Sequence, residues 1–302
     1  MTLSVLIPTY NYKCYALVAD LQRQLRQAGT DYEVVVADDG SRDRVSVIAN
    51  LRINELPHCR YIRRKKNMGR AAIKNFLARE AKGEWLLYLD SDAEVTDPQY
   101  VARLLEVIGH AGGAQVIMGG LRHADYMPSP DVSLRYRYEK AADRHRSAAE
   151  RAMNPYRHLT PFNLCIRREV MLSVGFDEQC RDYGYEDTLF GVTLQDRGIS
   201  VMHIDNPLLH KGLESNAVYL KKTETALRTL LHLGDKMVPY SHVGSAMLRL
   251  QQWHLGTPAG MLFRLSRPLL RNNLLGHTPN LKVFSLYKLG YLCYISRCRN
   301  RS

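Results

Sequence analysis

A chain of 302 residues, 45% of them hydrophobic, can bury a sizeable core as one large domain or as a domain with an appendage, and disorder is not its default state. Its formal net charge of +12 predicts attraction to polyanions, so nucleic acid, anionic membrane and phosphorylated ligands all stay in play. The six cysteines, at 14, 59, 165, 180, 293 and 298, make no tight metal-type pair and favour reduced cytosolic thiols, and with neither a basic leader nor a bilayer-length apolar run the expectation is a soluble or peripheral protein.

The stretch "LSVLIPTYN", residues 3–11, reads as a first strand, and Leu17, Val18, Leu21 and Leu25 then follow at helical spacing. "YEVVVADDGS", residues 32–41, is a β-branched run that stops at Asp38, Asp39 and a glycine. A short strand near residues 59–62 and a helix over about 69–81 lead to "WLLYLDSDAEV", residues 85–95. Its apolar run has the length of a buried strand and delivers Asp90 and Asp92 to the strand's end. Asp97 and Pro98 read as the cap and first turn of a helix that presents Val101, Leu104, Leu105 and Ile108 on one face. This βαβαβ order predicts an α/β fold with a mostly parallel sheet and helices on its faces, in which ligands bind at the carboxyl ends of the strands. The four aspartates fall at that edge.

Residues 122–158 are rich in Arg, His and Tyr, and the simplest reading is a solvated helix plus loop. Residues 161–178 read as a strand, a turn and a short helix ending at Gly175. In "YGYEDTLFGVTLQDRG", residues 183–198, Glu186 and Asp187 open a helix with Leu189, Phe190, Val192 and Leu194 facing inward and Gly198 closing it. "ISVMHIDNPLLHKG", residues 199–212, supplies one more short strand with His210 after it, and from about 215 onward the pattern is helical with basic ends.

Seven pieces now stand in order: "LSVLIPTYNY", "VVVADDGSRD", "NMGRAAIKN", "GEWLLYLDSDAEV", "GFDE", "YGYEDTLF" and "HKG". Their order and spacing resemble the family 2 glycosyltransferases, inverting enzymes of the GT-A fold that use nucleotide-sugar donors, over roughly residues 3–212. The resemblance implies a GT-A catalytic domain at 1–214, with a nucleotide-sugar half at 1–120 and an acceptor and catalytic half at 121–214. Residues 215–302 then form a C-terminal helical region with a basic tail.

Sugar transfer from a nucleoside diphosphate needs the leaving group's charge neutralised, and a hard divalent cation does this as Lewis acid and template. Two aspartates at i and i+2 on a strand end can share one side and offer the oxygen ligands that Mg²⁺ or Mn²⁺ takes. By resemblance Asp90 and Asp92 are the DxD pair, with Asp92 as direct metal ligand and Asp90 at the ribose or metal. His210 matches the family's third metal-side residue, and imidazole suits Mn²⁺ better than Mg²⁺. The resemblance also makes Asp187 the general base for the acceptor hydroxyl, with Glu186 orienting sugar hydroxyls.

Asp39 matches the position that accepts a hydrogen bond from the pyrimidine ring, with Asp38 beside it and Pro8 and Tyr10 walling the base, which points to UDP. Gly69 and Arg70 open a helix whose positive end meets the diphosphate. Two tyrosines, Tyr183 and Tyr185, stand where relatives frequently carry tryptophan. The implied partners are a UDP-sugar, a glycan or lipid-linked saccharide acceptor in surface polysaccharide synthesis, and the anionic inner face of the cytoplasmic membrane, with no nucleic acid.

For the aromatic, basic tail at 281–302, ending in Arg297, Arg299 and Arg301, two readings stand side by side: lying in an anionic membrane interface, or docking as a final helix. A nucleotidyltransferase and a basic nucleic-acid-binding protein are the alternatives. The first lacks its glycine-rich phosphate loop after strand one, and the second leaves the acidic strand ends without a role.

Overall fold

The computed structural model describes residues 2–157, 159–180 and 183–299, the last two of these by backbone alone. Two compact units emerge: Met1–Ala124 with Asp143–Arg181 and Glu186–Gly212, and Asp125–Ala142 with Asp182–Tyr185 and Leu213–Ser302. The segments 125–142 and 182–185 thus group with the C-terminal helices.

The first unit opens with β1 (Thr2–Thr9), α1 (Tyr15–Ala28), β2 (Asp31–Asp38), α2 (Arg44–Leu51), β3 (Cys59–Arg63), α3 (Arg70–Glu80), β4 (Trp85–Leu89) and β5 (Ala93–Glu94). It continues with α4 (Tyr100–Gly109), β6 (Val116–Met118) and β7 (Leu121–His123). After α5 (Ser133–Asp143), most of which belongs to the second unit, come α6 (Ala148–Ala152), β8 (Asn163–Arg167), α7 (Arg168–Val174), α8 (Glu186–Asp196), β9 (Val201–His203) and β10 (Leu208–His210).

Among the described residues, seven strands form one sheet in the order β3-β2-β1-β4-β8-β6-β9. It is parallel except where β8 runs against β4 and β6. Alternation along β1 and β4 sorts the core into two layers. Leu3, Val5, Ile7, Trp85, Leu87 and Leu89 join the apolar faces of α1 and α4, whereas Leu6, Leu86 and Tyr88 join α3, α7 and α8. Helices therefore cover both faces. A smaller sheet, β5-β10-β7, stands apart, with β10 antiparallel to β5 and parallel to β7.

Three local expectations change. The helix after Asp97 starts at Tyr100, because the Asp97 carboxylate accepts from Gln99 N at 2.8 Å and pairs with Arg103 at 2.7 Å, making a turn where a cap was expected. The stretch at 199–212 forms two strands, and His210 is the last residue of the second. Residues 122–158 are not simply solvated: Arg151 is buried, donating to Met118 O and Ile204 O, and His123 is buried at the end of β7.

The second unit holds most of α5 together with α9 (Asn216–Leu233), α10 (His242–Gln252), α11 (Gly256–Leu275) and α12 (Leu281–Arg299). Helices α11 and α12 pack tightly where each has a glycine. A Cβ on Gly260 would sit 3.1 Å from Tyr294 Cα, and one on Gly290 would sit 2.7 Å from the Phe263 ring. Phe284, Tyr287, Tyr291, Leu292 and Cys293 of α12 are buried, so the tail aromatics dock within this unit. The Glu224 carboxylate, also buried, accepts from Arg267, Arg271 and Tyr287 and ties α9, α11 and α12 together. Of the basic tail, Arg301 and the Arg299 side chain lie outside the described residues.

Candidate active site

The carboxyl ends of β1 and β2 are laced side by side. Parallel register sets Pro8 against Ala37 and Thr9 against Asp38, and Asp39 N donates to Thr9 O at 2.9 Å. Asn11, at φ +52°, donates from its amide to Ser41 Oγ, while its side-chain oxygen accepts from Arg42 N and Asp43 N. Asp38 is buried as a turn former, accepting from Ser41 N at 2.6 Å and from the Tyr61 hydroxyl. Asp39 is buried too, and accepts from Met68 N and Gly69 N at 2.9–3.1 Å. It thereby holds the loop that starts α3. Gly40, at φ +76°, lets that loop pass close, since a Cβ would meet Asn67 N at 2.8 Å. Pro8 is half-buried and Tyr10 is exposed beside it.

Helix α3 carries two cations at i and i+4, Arg70 and Lys74, on one face. Arg70, expected at a diphosphate, here bridges two carboxylates: its Nε is 2.8 Å from Glu186 and its terminal nitrogen 3.5 Å from Asp90. Lys74 is 1% exposed, and its ammonium lies 3.0 Å from Asp187 Oδ1 and 3.9 Å from Glu186. The Phe176 ring sits 4.7 Å under that ammonium, and the Tyr88 hydroxyl donates to the Lys74 carbonyl. Thr160 Oγ1 donates to the other Asp187 oxygen at 3.4 Å.

Desolvation pushes the Asp187 carboxyl up to about 6; Lys74 pulls against that rise, Glu186 adds to it and Arg70 opposes it. The acid at the start of α8 and the acid at the end of β4 thus meet through two cations of α3. Lys74 did not stand out in the sequence. The available signal was its spacing from Arg70, one turn earlier on the same helix.

The small sheet brings in His210. Its antiparallel register sets His210 against Ala93, one residue beyond Asp92, and His210 Nε2 lies 3.3 Å from Asp92 Oδ2. Lys211 N donates to Asp92 O at 3.0 Å, and a Cβ on Gly212 would overlap the Asp92 carboxylate. The "HKG" turn is therefore packed directly on Asp92. In the parallel register of β7 and β10, His123 stands opposite His210, with ring centroids 5.4 Å apart, and its Nδ1 is 2.8 Å from Asp143. His123, too, is hidden in the sequence, within a stretch that reads as solvated.

The oxygen and nitrogen donors of Asp92, His210 and nearby Asp90 fit a hard or borderline divalent cation. Tyr183 and Tyr185 belong to the second unit, where the Tyr185 hydroxyl lies 3.2 Å from Ser241 Oγ and Thr229 donates to Tyr183 O. Cys14, Cys59, Cys165, Cys180 and Cys293 are free, and Cys298 lies among the residues described by backbone alone.

The profile of Glycosyl transferase family 2 matches residues 4–174, more than half of the chain. The chain belongs to this family. An uncharacterised glycosyltransferase of Haemophilus influenzae is 35% identical over 106 residues, which are 35% of this chain and 34% of that protein, so the matched stretch spans about a third of the relative's length. Among solved structures, the mannosyltransferase PcManGT from Pyrobaculum calidifontis, in complex with GDP-Man and Mn²⁺, superposes with a TM-score of 0.57 at 16% identity, covering 98% of this chain and 86% of that one. Residues 1–349 of S. aureus TarS, in complex with UDP-GlcNAc, superpose with a TM-score of 0.53 at 16% identity, covering 99% and 92%. At that identity both likenesses speak to the fold, which is the GT-A arrangement of a mostly parallel mixed sheet with C-terminal helices.

Proposed function

We propose that this family 2 protein is an inverting glycosyltransferase that uses Mn²⁺ or Mg²⁺ and moves a hexose or N-acetylhexosamine from a UDP-sugar to a glycan or lipid-linked saccharide in surface polysaccharide synthesis. The observation that carries the reading is the junction of Asp90 with Glu186 and Asp187 through Arg70 and Lys74. Three carboxyl groups thus share two fixed cations, Asp92 adds a fourth two residues beyond Asp90, and an acidic excess of this kind is what a divalent ion offsets. Asp92, Asp90 and His210 would hold that ion, which when bound supplies Lewis-acid charge toward the departing diphosphate.

Asp187 takes the proton of the acceptor hydroxyl as its oxygen bonds to the anomeric carbon and the bond from that carbon to the diphosphate oxygen breaks. Lys74 keeps Asp187 charged for this task, and Glu186 orients sugar hydroxyls while held by Arg70. Asp39 spends part of its acceptor capacity on Met68 N and Gly69 N, leaving lone pairs for a uracil ring N–H. Pro8 and the exposed ring of Tyr10 flank the base, with Asp38 shaping the turn beneath it. Gly69 and Arg70 lie at the start of α3, the end whose dipole favours phosphate. The nucleotide-sugar ligands of the two solved relatives support a donor of this class.

The test is a donor panel of UDP-sugars and GDP-mannose with Mn²⁺ or with EDTA, read by thermal shift and by nucleotide release. A UDP-sugar should stabilise the protein and be slowly hydrolysed only with metal, and Asp187→Asn should cut release by about 10²- to 10⁴-fold while keeping the thermal shift. A response to GDP-mannose alone would replace the UDP assignment, and silence across the panel would refute the enzymatic reading.

A further inference from the structure

From Lys236 to Ser302 the sequence carries ten lysines and arginines and no aspartate or glutamate. Within this acid-free stretch, α11 turns Gly260, Phe263 and Leu274 inward and leaves an apolar stripe on the opposite side. Leu262, Leu265 and Leu269 follow at i, i+3 and i+7 and are 67%, 79% and 76% exposed. Trp253, just before the helix, is 75% exposed. Arg264 is exposed on the flank of the stripe, and Arg249 and Lys282 are exposed on the neighbouring helices.

An isolated exposed leucine is ordinary, but three in register beside an exposed tryptophan form a face that water does not favour. We infer that this face of α11 lies on the surface of an anionic lipid bilayer, the leucines and Trp253 entering the headgroup boundary while the arginines and lysines meet lipid phosphates. Charge selects this occupant. A second copy of the chain on a twofold axis would bring the exposed Arg264, Arg249 and Lys282 of one copy toward those of the other, whereas an anionic bilayer complements them. The contact is peripheral: among the described residues no helix is long and apolar enough to cross a membrane. It also differs from insertion of the tail, whose aromatics are buried in the packing of α12. The inference stands independently of donor and acceptor.

Vesicle flotation of the full chain tests it. The protein should float with phosphatidylcholine vesicles that contain phosphatidylglycerol, do so weakly with phosphatidylcholine alone, and come off as salt rises. Leu265→Glu combined with Leu269→Glu should lower partitioning by about tenfold or more, since each leucine then loses its burial. Arg264→Ala should lower it about fivefold on anionic vesicles with no change on neutral ones, which keeps the test decisive even if the double variant folds poorly. Wild-type protein that stays with the soluble fraction at low salt overturns the inference, as does a folded double variant or an Arg264→Ala protein that floats like wild type. A dimer dissolved by the leucine substitutions, without vesicle binding, would assign the face to a second copy instead.

Discussion

Replacing Lys74 with methionine keeps most of the buried volume and removes the charge that opposes protonation of Asp187. At 3.0 Å and an effective dielectric near 20, the attraction is about 5 kcal/mol, an upper bound of ~4 pH units on the acid limb of the activity profile. Asp187 is a quarter exposed and Arg70 stays nearby, so water and the second cation absorb part of the loss. The expected displacement is about one to two units upward from the wild-type limb near 6. Activity at pH 7 should then fall about two- to tenfold and recover toward pH ~9. The assay is nucleotide release across pH with the donor found in the panel, on a variant whose cooperative unfolding shows that it is folded. A structural role alone would lower the rate equally at every pH. A Lys74→Met enzyme with an unmoved acid limb refutes the reasoning.

The same carboxyl bears on stability. Because its folded value of about 6 lies above the ordinary 3.8, the folded chain holds the proton more tightly, so this contribution is present below about 3.8 and is lost as pH rises through 6. Asp187→Asn should therefore gain on wild type in unfolding free energy from urea melts between pH 4 and 7, by at most about 3 kcal/mol, and a constant difference contradicts the shift. Asp92→Asn should abolish the rise in thermal midpoint that Mn²⁺ gives the wild type; a full rise in the variant removes Asp92 from the metal site. Gly212→Ala should weaken apparent Mn²⁺ affinity because the new methyl displaces the Asp92 carboxylate, and an unchanged titration refutes that packing. Asn75, whose side chain bonds Phe176 N, Phe176 O and Glu178 at 2.8–2.9 Å, should cost about 2–4 kcal/mol as Asn75→Ala in urea unfolding, and a loss under ~1 kcal/mol contradicts a tie across α3 and the "GFDE" turn.

Much of the first unit was legible because its signals are local. The β-branched run before Asp38, the apolar run before Asp90 and the helix opened by Glu186 and Asp187 each declare themselves within a dozen residues, and each formed where periodicity and turn chemistry placed it. Asp97 misled because a capping residue and a turn former look alike until the following backbone is known. Arg70 illustrates a different limit: its place at the start of α3 was readable, but its partners were not.

What the sequence by itself determined is the inventory: a parallel sheet with acid-tipped strands, an acidic helix start, a basic acid-free stretch and the family those pieces belong to. Only the tertiary structure decided which of them touch. Lys74 meets Asp187 across 113 residues of chain, His210 reaches Asp92 through a two-residue strand, and the buried tail aromatics leave the apolar face on α11. The physical reason is that periodicity and turn propensity act between near neighbours, whereas the partner of a buried charge and the covering of an apolar face are settled by packing across the whole unit.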